Sequence, residues 1–156
     1  MLSKKKKFFK FFLLFYLFTF SSITLSKENS SDLSFLIIVN SENLYKNEID
    51  KGLRKIEYIY KGNSKEWPGN LKATFFSRGD NHLVQREFYR KVLNMNVDEV
   101  NAFWEVKASR GVYKPNAVEN IRDLINEVSK NKGAISIVSK LEMQKIPAKI
   151  KVLYEF

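Results

Sequence analysis

Residues 73–90 decide the fold of this chain, and they read Ala-Thr-Phe-Phe-Ser-Arg-Gly-Asp-Asn-His-Leu-Val-Gln-Arg-Glu-Phe-Tyr-Arg. Residues 73–76 predict an apolar strand, and Val84, Phe88 and Val92 then recur at the spacing of one helix face. The polar loop between them leads into the start of the helix, where unpaired backbone N–H groups and the positive end of the helix dipole favour an anion. Arg78 lies in this loop. The stretch therefore predicts a strand, a helix and a candidate anion site between them.

The segments on either side complete an α/β pattern. Residues 34–39 form a continuous apolar run, which predicts a strand covered on both faces, as in a parallel sheet packed by helices. Further strands are predicted at residues 134–138 and, from alternating polarity, at 149–156. Helices are predicted from residue 47 to about Gly62, after a cap at Asn96, and after a cap at Asn116 with Glu119. This order predicts an α/β fold with a small mixed sheet flanked by helices.

The first 26 residues are organised like a secretory signal. Lysines dominate residues 1–10, residues 11–20 are almost entirely apolar, and small polar residues follow up to Ser26. The apolar run is shorter than the roughly 20 residues of a spanning helix, and an uncleaved anchor over residues 8–25 is the alternative. We expect cleavage after Ser26, a flexible leader over 27–33 and a single domain over 34–156, in the periplasm or secreted.

The charge and composition narrow the classes of function. The formal net charge is +10. Residues 1–26 hold five lysines and no acidic residue, which leaves 22 basic and 17 acidic residues, a net charge of +5, for the rest. A mildly basic exported domain does not point to nucleic acid, so no nucleic-acid partner is expected. The chain has no cysteine and one histidine. With no nucleotide motif or metal-ligand cluster in the sequence, we expect no enzymatic activity, no metal and no cofactor.

Several short motifs, in their order and spacing, resemble the phosphate-binding proteins of ABC transporters, and more closely their short, single-lobe relatives. The motifs are residues 62–69 (Gly-Asn-Ser-Lys-Glu-Trp-Pro-Gly), 77–80 (Ser-Arg-Gly-Asp), 86–89 (Arg-Glu-Phe-Tyr), 102–104 (Ala-Phe-Trp) and 133–136 (Gly-Ala-Ile-Ser). The resemblance covers roughly residues 34–140. It implies one lobe of the type 2 periplasmic-binding fold and an exported substrate-binding-like protein.

The resemblance also implies roles for residues of the loop. In the family, a loop of the pattern Arg-x-Asp-Gly-Ser-Gly-Thr grips phosphate through the Arg, the Asp and the two hydroxyls. Arg78 and Asp80 match the Arg and the Asp, whereas Asn81, His82 and two apolar residues stand where the remaining positions would be. The implied anion-binding residues are Arg78, Asp80, Asn81 and His82, with phosphate or a similar small anion as ligand. The other lobe of the family's clamp has no counterpart in these 156 residues.

The same residues allow other roles. Asp80 fits the N-cap of the following helix, and His82 fits a surface position in its first turn. Arg86 and Arg90 either pair with neighbouring acids or form a patch for an acidic partner. Two hypotheses therefore remain: a substrate-binding-like protein with at most a weak anion site, or an envelope interaction protein that kept the fold, lost the ligand, and self-associates or docks on a membrane protein.

Overall fold

The computed structural model describes residues 34–46 and 52–156. Its elements are β1 (Phe35–Asn40), α1 (Gly52–Tyr60), β2 (Thr74–Phe76), α2 (Leu83–Phe88), α3 (Val97–Ala108), α4 (Ile121–Lys130), β3 (Ala134–Ser139) and β4 (Ile150–Glu155), with a π-helical turn, Tyr89–Leu93, directly after α2. The predicted signal, anchor and leader lie outside the described residues, as does the predicted start of the first helix. Within the described ranges, no helix combines the length and apolarity needed to cross a membrane.

The four strands form one mixed sheet in the order β2-β3-β1-β4. β2 and β3 are parallel, whereas β1 is antiparallel to both β3 and β4. The predicted α/β fold with a small mixed sheet is confirmed, but the inference of parallel pairing for residues 34–39 is wrong. A continuous apolar run indicates that both faces of a strand are buried, but it does not indicate the direction of the neighbouring strands. Here the buried strand is antiparallel to its neighbours.

The core lies on both faces of the sheet because successive side chains of a strand point to opposite sides. Ile37 and Val39 pack in a large cluster with residues of α1, α2 and α3, while Leu36 and Ile38 pack in a second cluster with residues of α4. All residues of β1 and β3 are buried. Each fully buried aliphatic side chain contributes about 1.5–3 kcal/mol, so the two central strands form a firm support for the loops at their ends.

The loop after β2 is fixed to the segment before α4. Ser77 N–H donates to the Asn116 carbonyl oxygen at 2.9 Å, and Val118 N–H donates to the Ser77 carbonyl oxygen at 2.8 Å. These two bonds form an isolated parallel β-bridge between Ser77 and Ala117, directly after the end of β2. The predicted cap at Asn116 is therefore wrong: the residue is used in this bridge, and the N-cap of α4 is Asn120.

The capping prediction at Asn96 is confirmed. Its side chain accepts a hydrogen bond from Glu99 N–H, and the Glu99 side chain accepts one from Asn96 N–H, which forms a capping box. The predicted N-cap role of Asp80 is wrong, since His82 occupies the N-cap of α2. The Asp80 carboxylate is bonded instead to residues that are distant in the sequence.

Candidate functional site

Three of the six backbone N–H groups of the loop 77–82, those of Ser77, Arg78 and His82, donate to other groups of the chain. Arg78 N–H donates to the side-chain oxygen of the buried Gln85 at 2.8 Å. His82 N–H donates to the Gly79 carbonyl oxygen at 2.8 Å, which closes a turn. The Val84 N–H points at Nδ1 of His82, 3.3 Å away. α2 has only six residues, and these internal bonds use part of the N–H groups from which the predicted anion site would be built.

Arg78 is the buried charge at the centre of this loop, with only 3% of its surface exposed. Its Nη1 donates to Oε1 of Glu142 at 3.1 Å, and its Nη2 donates to the Glu119 carbonyl oxygen at 2.8 Å. Nη2 also lies 2.8 Å from Nε2 of His82. The Nε atom is buried with no hydrogen-bond partner among the described residues. The guanidinium is therefore held by the chain itself on two of its three nitrogens.

Glu142 provides the carboxylate that Arg78 binds. It lies in the turn after β3, where its Oε2 accepts a hydrogen bond from Ser139 N–H at 2.9 Å and its N–H donates to the Ser139 hydroxyl at 3.1 Å. Partial burial opposes ionisation, but the Ser139 N–H and the Arg78 guanidinium outweigh it and lower the pKa of Glu142. The carboxylate is thus ionised and anchored next to Arg78.

A second carboxylate lies close to the loop. The Glu119 side chain rests against Gly79, at a place where the Cβ of any larger residue would overlap with its carboxylate. Glu119 and Glu142 both act on His82, because each favours the charged imidazole electrostatically. The loop that holds Arg78 and His82 is therefore flanked by two carboxylates.

His82 connects Arg78 to the start of α2. Both of its ring nitrogens face N–H donors, from Val84 and from Arg78, and a neutral imidazole can accept a hydrogen bond at only one of them. A protonated imidazole could accept at neither. Burial and the Arg78 charge lower the pKa of His82 despite the two nearby carboxylates. His82 is therefore a neutral N-cap at pH 7.

Asp80 has a set of partners separate from those of Arg78. Nζ of Lys114 lies 2.6 and 2.7 Å from the two Asp80 carboxylate oxygens, and the Tyr89 hydroxyl donates to Oδ1 at 2.7 Å. The Tyr60 hydroxyl in turn donates to that of Tyr89 at 3.0 Å, and burial raises the pKa of Tyr60 to about 12. Partial burial opposes ionisation of Asp80, but Lys114 and Tyr89 together lower its pKa. The acid is an ionised anchor for Lys114.

The structure thus brings two of the four predicted site residues together. Arg78 and His82 are in contact, Asp80 faces Lys114, and Asn81 is exposed. The sequence interpretation missed the partners that define the geometry, Glu142 and Lys114. Glu142 is 64 residues from Arg78, in a turn with no periodicity, so no local signal could identify it. Among the described residues, no group of three or more potential ligands is placed to hold a metal ion.

The mixed sheet, its two flanking layers and the strand–loop–helix around Arg78 define one lobe of a type 2 periplasmic-binding fold. Solved structures with this fold include an ABC-type phosphate transport receptor from Vibrio cholerae, with a TM-score of 0.57 and 15% identity. Similar values hold for a putative phosphate ABC transporter substrate-binding protein with bound phosphate from Clostridium perfringens (0.57 and 14%) and for PstS from Borrelia burgdorferi (0.55 and 14%).

The likeness extends over most of this chain but over less than half of those proteins. It covers 78% of this chain in all three cases, and 45%, 44% and 46% of the respective receptors. At this level of identity the likeness establishes the fold. No protein-family model matches the chain, and no curated protein matches it.

Proposed function

We propose that this protein is an exported, non-enzymatic interaction protein built on a lobe of the phosphate-receptor fold, in which the anion position at Arg78 is occupied by the chain's own Glu142. The observation that carries the proposal is the contact from Arg78 Nη1 to Glu142 Oε1, with Glu142 anchored by Ser139 N–H. Because Nη1 of Arg78 is already paired with a carboxylate of the chain, a free anion at this position has to compete with Glu142.

Electrostatics oppose capture of a phosphate dianion at this loop. An incoming anion has to displace Glu142 or approach it, and two like unit charges about 4 Å apart repel by roughly 4 kcal/mol at an effective dielectric constant of 20. Glu119 adds negative charge on the Gly79 side. The Asp80 carboxylate is already paired with Lys114, so it is not free to accept a hydrogen bond from a protonated phosphate oxygen.

Export is the second part of the proposal and rests on residues 1–26. Their cationic start, apolar run and small polar end favour a signal that is removed after Ser26. The phosphate transport receptors named above have the same fold, which is compatible with a location outside the cytoplasm. An interaction role at the envelope fits a domain whose inherited ligand loop is closed.

Calorimetric titration of the purified protein with phosphate and with sulfate tests the ligand part. We expect no saturable heat up to millimolar anion. The Glu142→Gln variant removes the competing charge, so weak binding at millimolar concentration is expected there, while Glu87→Gln, at an exposed ion pair away from Arg78, serves as the matched control. Micromolar phosphate binding by the unaltered protein would overturn the proposal.

A crosslinking experiment tests the partner part. Tyr113 is 76% exposed, so a photo-crosslinking residue at this position should leave the fold intact and report on molecules that cover the surface. We expect a discrete adduct, either with a second copy or with an envelope protein, in intact cells that produce the protein. A protein that stays monomeric and uncrosslinked in the envelope contradicts an interaction role.

A further inference from the structure

His82 lies among charged groups from three different parts of the chain. Nη2 of Arg78, in the same loop, is 2.8 Å from the Nε2 atom of His82, and Oε1 of Glu142, in the turn after β3, is 3.6 Å from the same atom. The Glu119 carboxylate, from the segment before α4, also favours the charged imidazole. The His82 side chain is 26% exposed, so protons from the solvent can reach it. Its protonation therefore acts directly on the contacts of Arg78.

The neutral imidazole is one of three groups that hold the Arg78 guanidinium. Nη1 donates to Glu142 Oε1, and Nη2 lies against both His82 Nε2 and the Glu119 carbonyl oxygen. The Nε atom is buried and has no hydrogen-bond partner in the described part of the chain. The position of this buried charge thus depends on three contacts, and His82 makes one of them.

Protonation of His82 turns its contact with Arg78 from attraction into repulsion. The imidazolium carries a hydrogen on both ring nitrogens, so Nε2 can no longer accept, and two cations face each other across 2.8 Å. An acceptor for the Nε2 hydrogen stands 3.6 Å away, and it is Glu142 Oε1, the oxygen that Arg78 Nη1 also uses. Glu142 is itself fixed, because Ser139 N–H donates to its other oxygen at 2.9 Å. The guanidinium is therefore the group that has to move.

We propose that protonation of His82 releases Arg78: the imidazolium takes the Glu142 carboxylate, and the guanidinium keeps only its bond to the Glu119 carbonyl oxygen. This rests on the proposed function, in which Glu142 occupies the anion position at Arg78, and adds how that pairing is regulated. Histidine is the side chain whose charge changes between about pH 5 and 8, so it is suited to sense acidification around an exported domain. The pair of Asp80 and Lys114 involves neither ring nitrogen and stays in place.

The pH at which the release occurs follows from the pKa directions of the groups involved. Burial and the Arg78 charge lower the pKa of His82, so the release begins only below the ordinary value of 6.5. Although Glu142 is partly buried, Ser139 N–H and the Arg78 guanidinium hold its pKa below 4.5, so this carboxylate is charged at mildly acidic pH. The protonated imidazole therefore meets an ionised partner.

Nuclear magnetic resonance of the purified ¹⁵N-labelled protein tests the release. His82 is the only histidine of the chain, so its ring nitrogens report the protonated fraction without overlap. The second signal is hydrogen exchange at Nε of Arg78, expressed relative to the intrinsic exchange rate at each pH. We expect the protection of this N–H to fall by about tenfold or more between pH 7.5 and pH 5.0, in step with the protonated fraction of His82, because the loop then opens locally.

Two variants separate the release from a general effect of acid. His82→Asn keeps an N-cap residue and cannot be protonated, so the protection of the Arg78 Nε–H should be the same at both pH values. Glu142→Gln removes a charge that favours the imidazolium, so the midpoint of the His82 titration should fall by about 0.5–1 pH unit. Glu87→Gln, in the exposed ion pair with Arg90, is the matched control and should leave this midpoint unchanged.

Three results would overturn the release: protection of the Arg78 Nε–H that stays constant while His82 titrates, an equal fall in the His82→Asn variant, or a His82 midpoint that Glu142→Gln leaves unchanged. Failure of the proposed function gives a different result. The Arg78 Nε–H would then be unprotected already at pH 7.5, where the imidazole is neutral, because Glu142 would not hold the guanidinium. Phosphate and sulfate are left out of every sample, so that no free anion replaces the carboxylate.

Discussion

The contact between Arg78 and Glu142 predicts a specific loss of stability in Glu142→Gln. A glutamine at position 142 has no negative charge and puts an amide NH₂ group in place of one carboxylate oxygen, so either Arg78 Nη1 or Ser139 N–H then faces a donor instead of an acceptor. The arginine is 3% exposed and the Glu142 side chain 24% exposed, so solvent screens the pair only partly. At about 4 Å between charge centres and a dielectric constant of about 20 the gross attraction is roughly 4 kcal/mol, and desolvation offsets part of it.

The expected net loss is about 2 kcal/mol, in the range of hydrogen bonds to charged groups. With an m value of about 2 kcal/mol per molar urea, the unfolding midpoint should fall by about 1 M. Glu87→Gln is the matched control, because its partner Arg90 has 65% of its side-chain surface exposed and such pairs contribute less than about 1 kcal/mol. Urea unfolding followed by tryptophan fluorescence measures both variants.

A double-mutant cycle with Arg78→Met isolates the pair from the other contacts of each residue. We expect a coupling free energy of about 1.5–3 kcal/mol between positions 78 and 142. A coupling below about 0.5 kcal/mol, no larger than for the exposed pair of Glu87 and Arg90, would refute the argument that Glu142 holds Arg78. The proposal that Glu142 occupies the anion position at Arg78 would then fail with it.

Three further predictions concern the same loop, its sheet and the N-terminus. The pKa of His82 lies below its ordinary 6.5 in the folded state. As the pH falls, the unfolded chain therefore binds the proton before the folded protein does. The contribution of His82 to stability is complete above pH 6.5 and is lost below it. The His82→Asn variant keeps an N-cap residue, and its urea midpoint should change less between pH 7 and pH 5 than that of the unaltered protein. The same change in both proteins would contradict this. Gly133→Ala should lower the free energy of unfolding by more than about 2 kcal/mol, because the new Cβ would overlap with the rigid Lys72 carbonyl oxygen. Gly79→Ala displaces only the flexible end of the Glu119 side chain, so it should lower that free energy by less than about 1 kcal/mol. Similar urea midpoints for the two variants would exclude this explanation. Mass spectrometry of the exported protein should give Lys27 as the first residue, and a retained Met1 would favour the anchor instead.

Much of the fold can be predicted from periodicity, because burial repeats with the geometry of each element. The stripe of Val84 and Phe88 is buried as expected, and the capping box at Asn96 is present. Strand direction could not be predicted in this way. A continuous apolar run such as residues 34–39 depends on what covers the two faces, and it is the same for a strand that is parallel or antiparallel to its neighbours.

The candidate site was less predictable because its partners are remote in the sequence. Asp80 satisfies a local rule for an N-cap, but the bond to Lys114, 34 residues away, prevails. His82 then takes the cap through its Nδ1 atom. A local pattern lists the roles a residue could play, and the tertiary partners decide among them.

The paired charges of the loop stabilise it without a bound anion. An open anion site keeps a buried arginine uncompensated when empty, which lowers stability, and the bound anion restores it. In this chain the empty loop is already compensated, Arg78 by Glu142 and Asp80 by Lys114. A phosphate that displaced Glu142 would forfeit about 2 kcal/mol, which weakens its affinity roughly 30-fold before repulsion from the displaced carboxylate is counted. The same ion pair that stabilises the loop therefore weakens anion binding. A substitution that increases the stability of the empty loop in this way decreases its affinity for an anion.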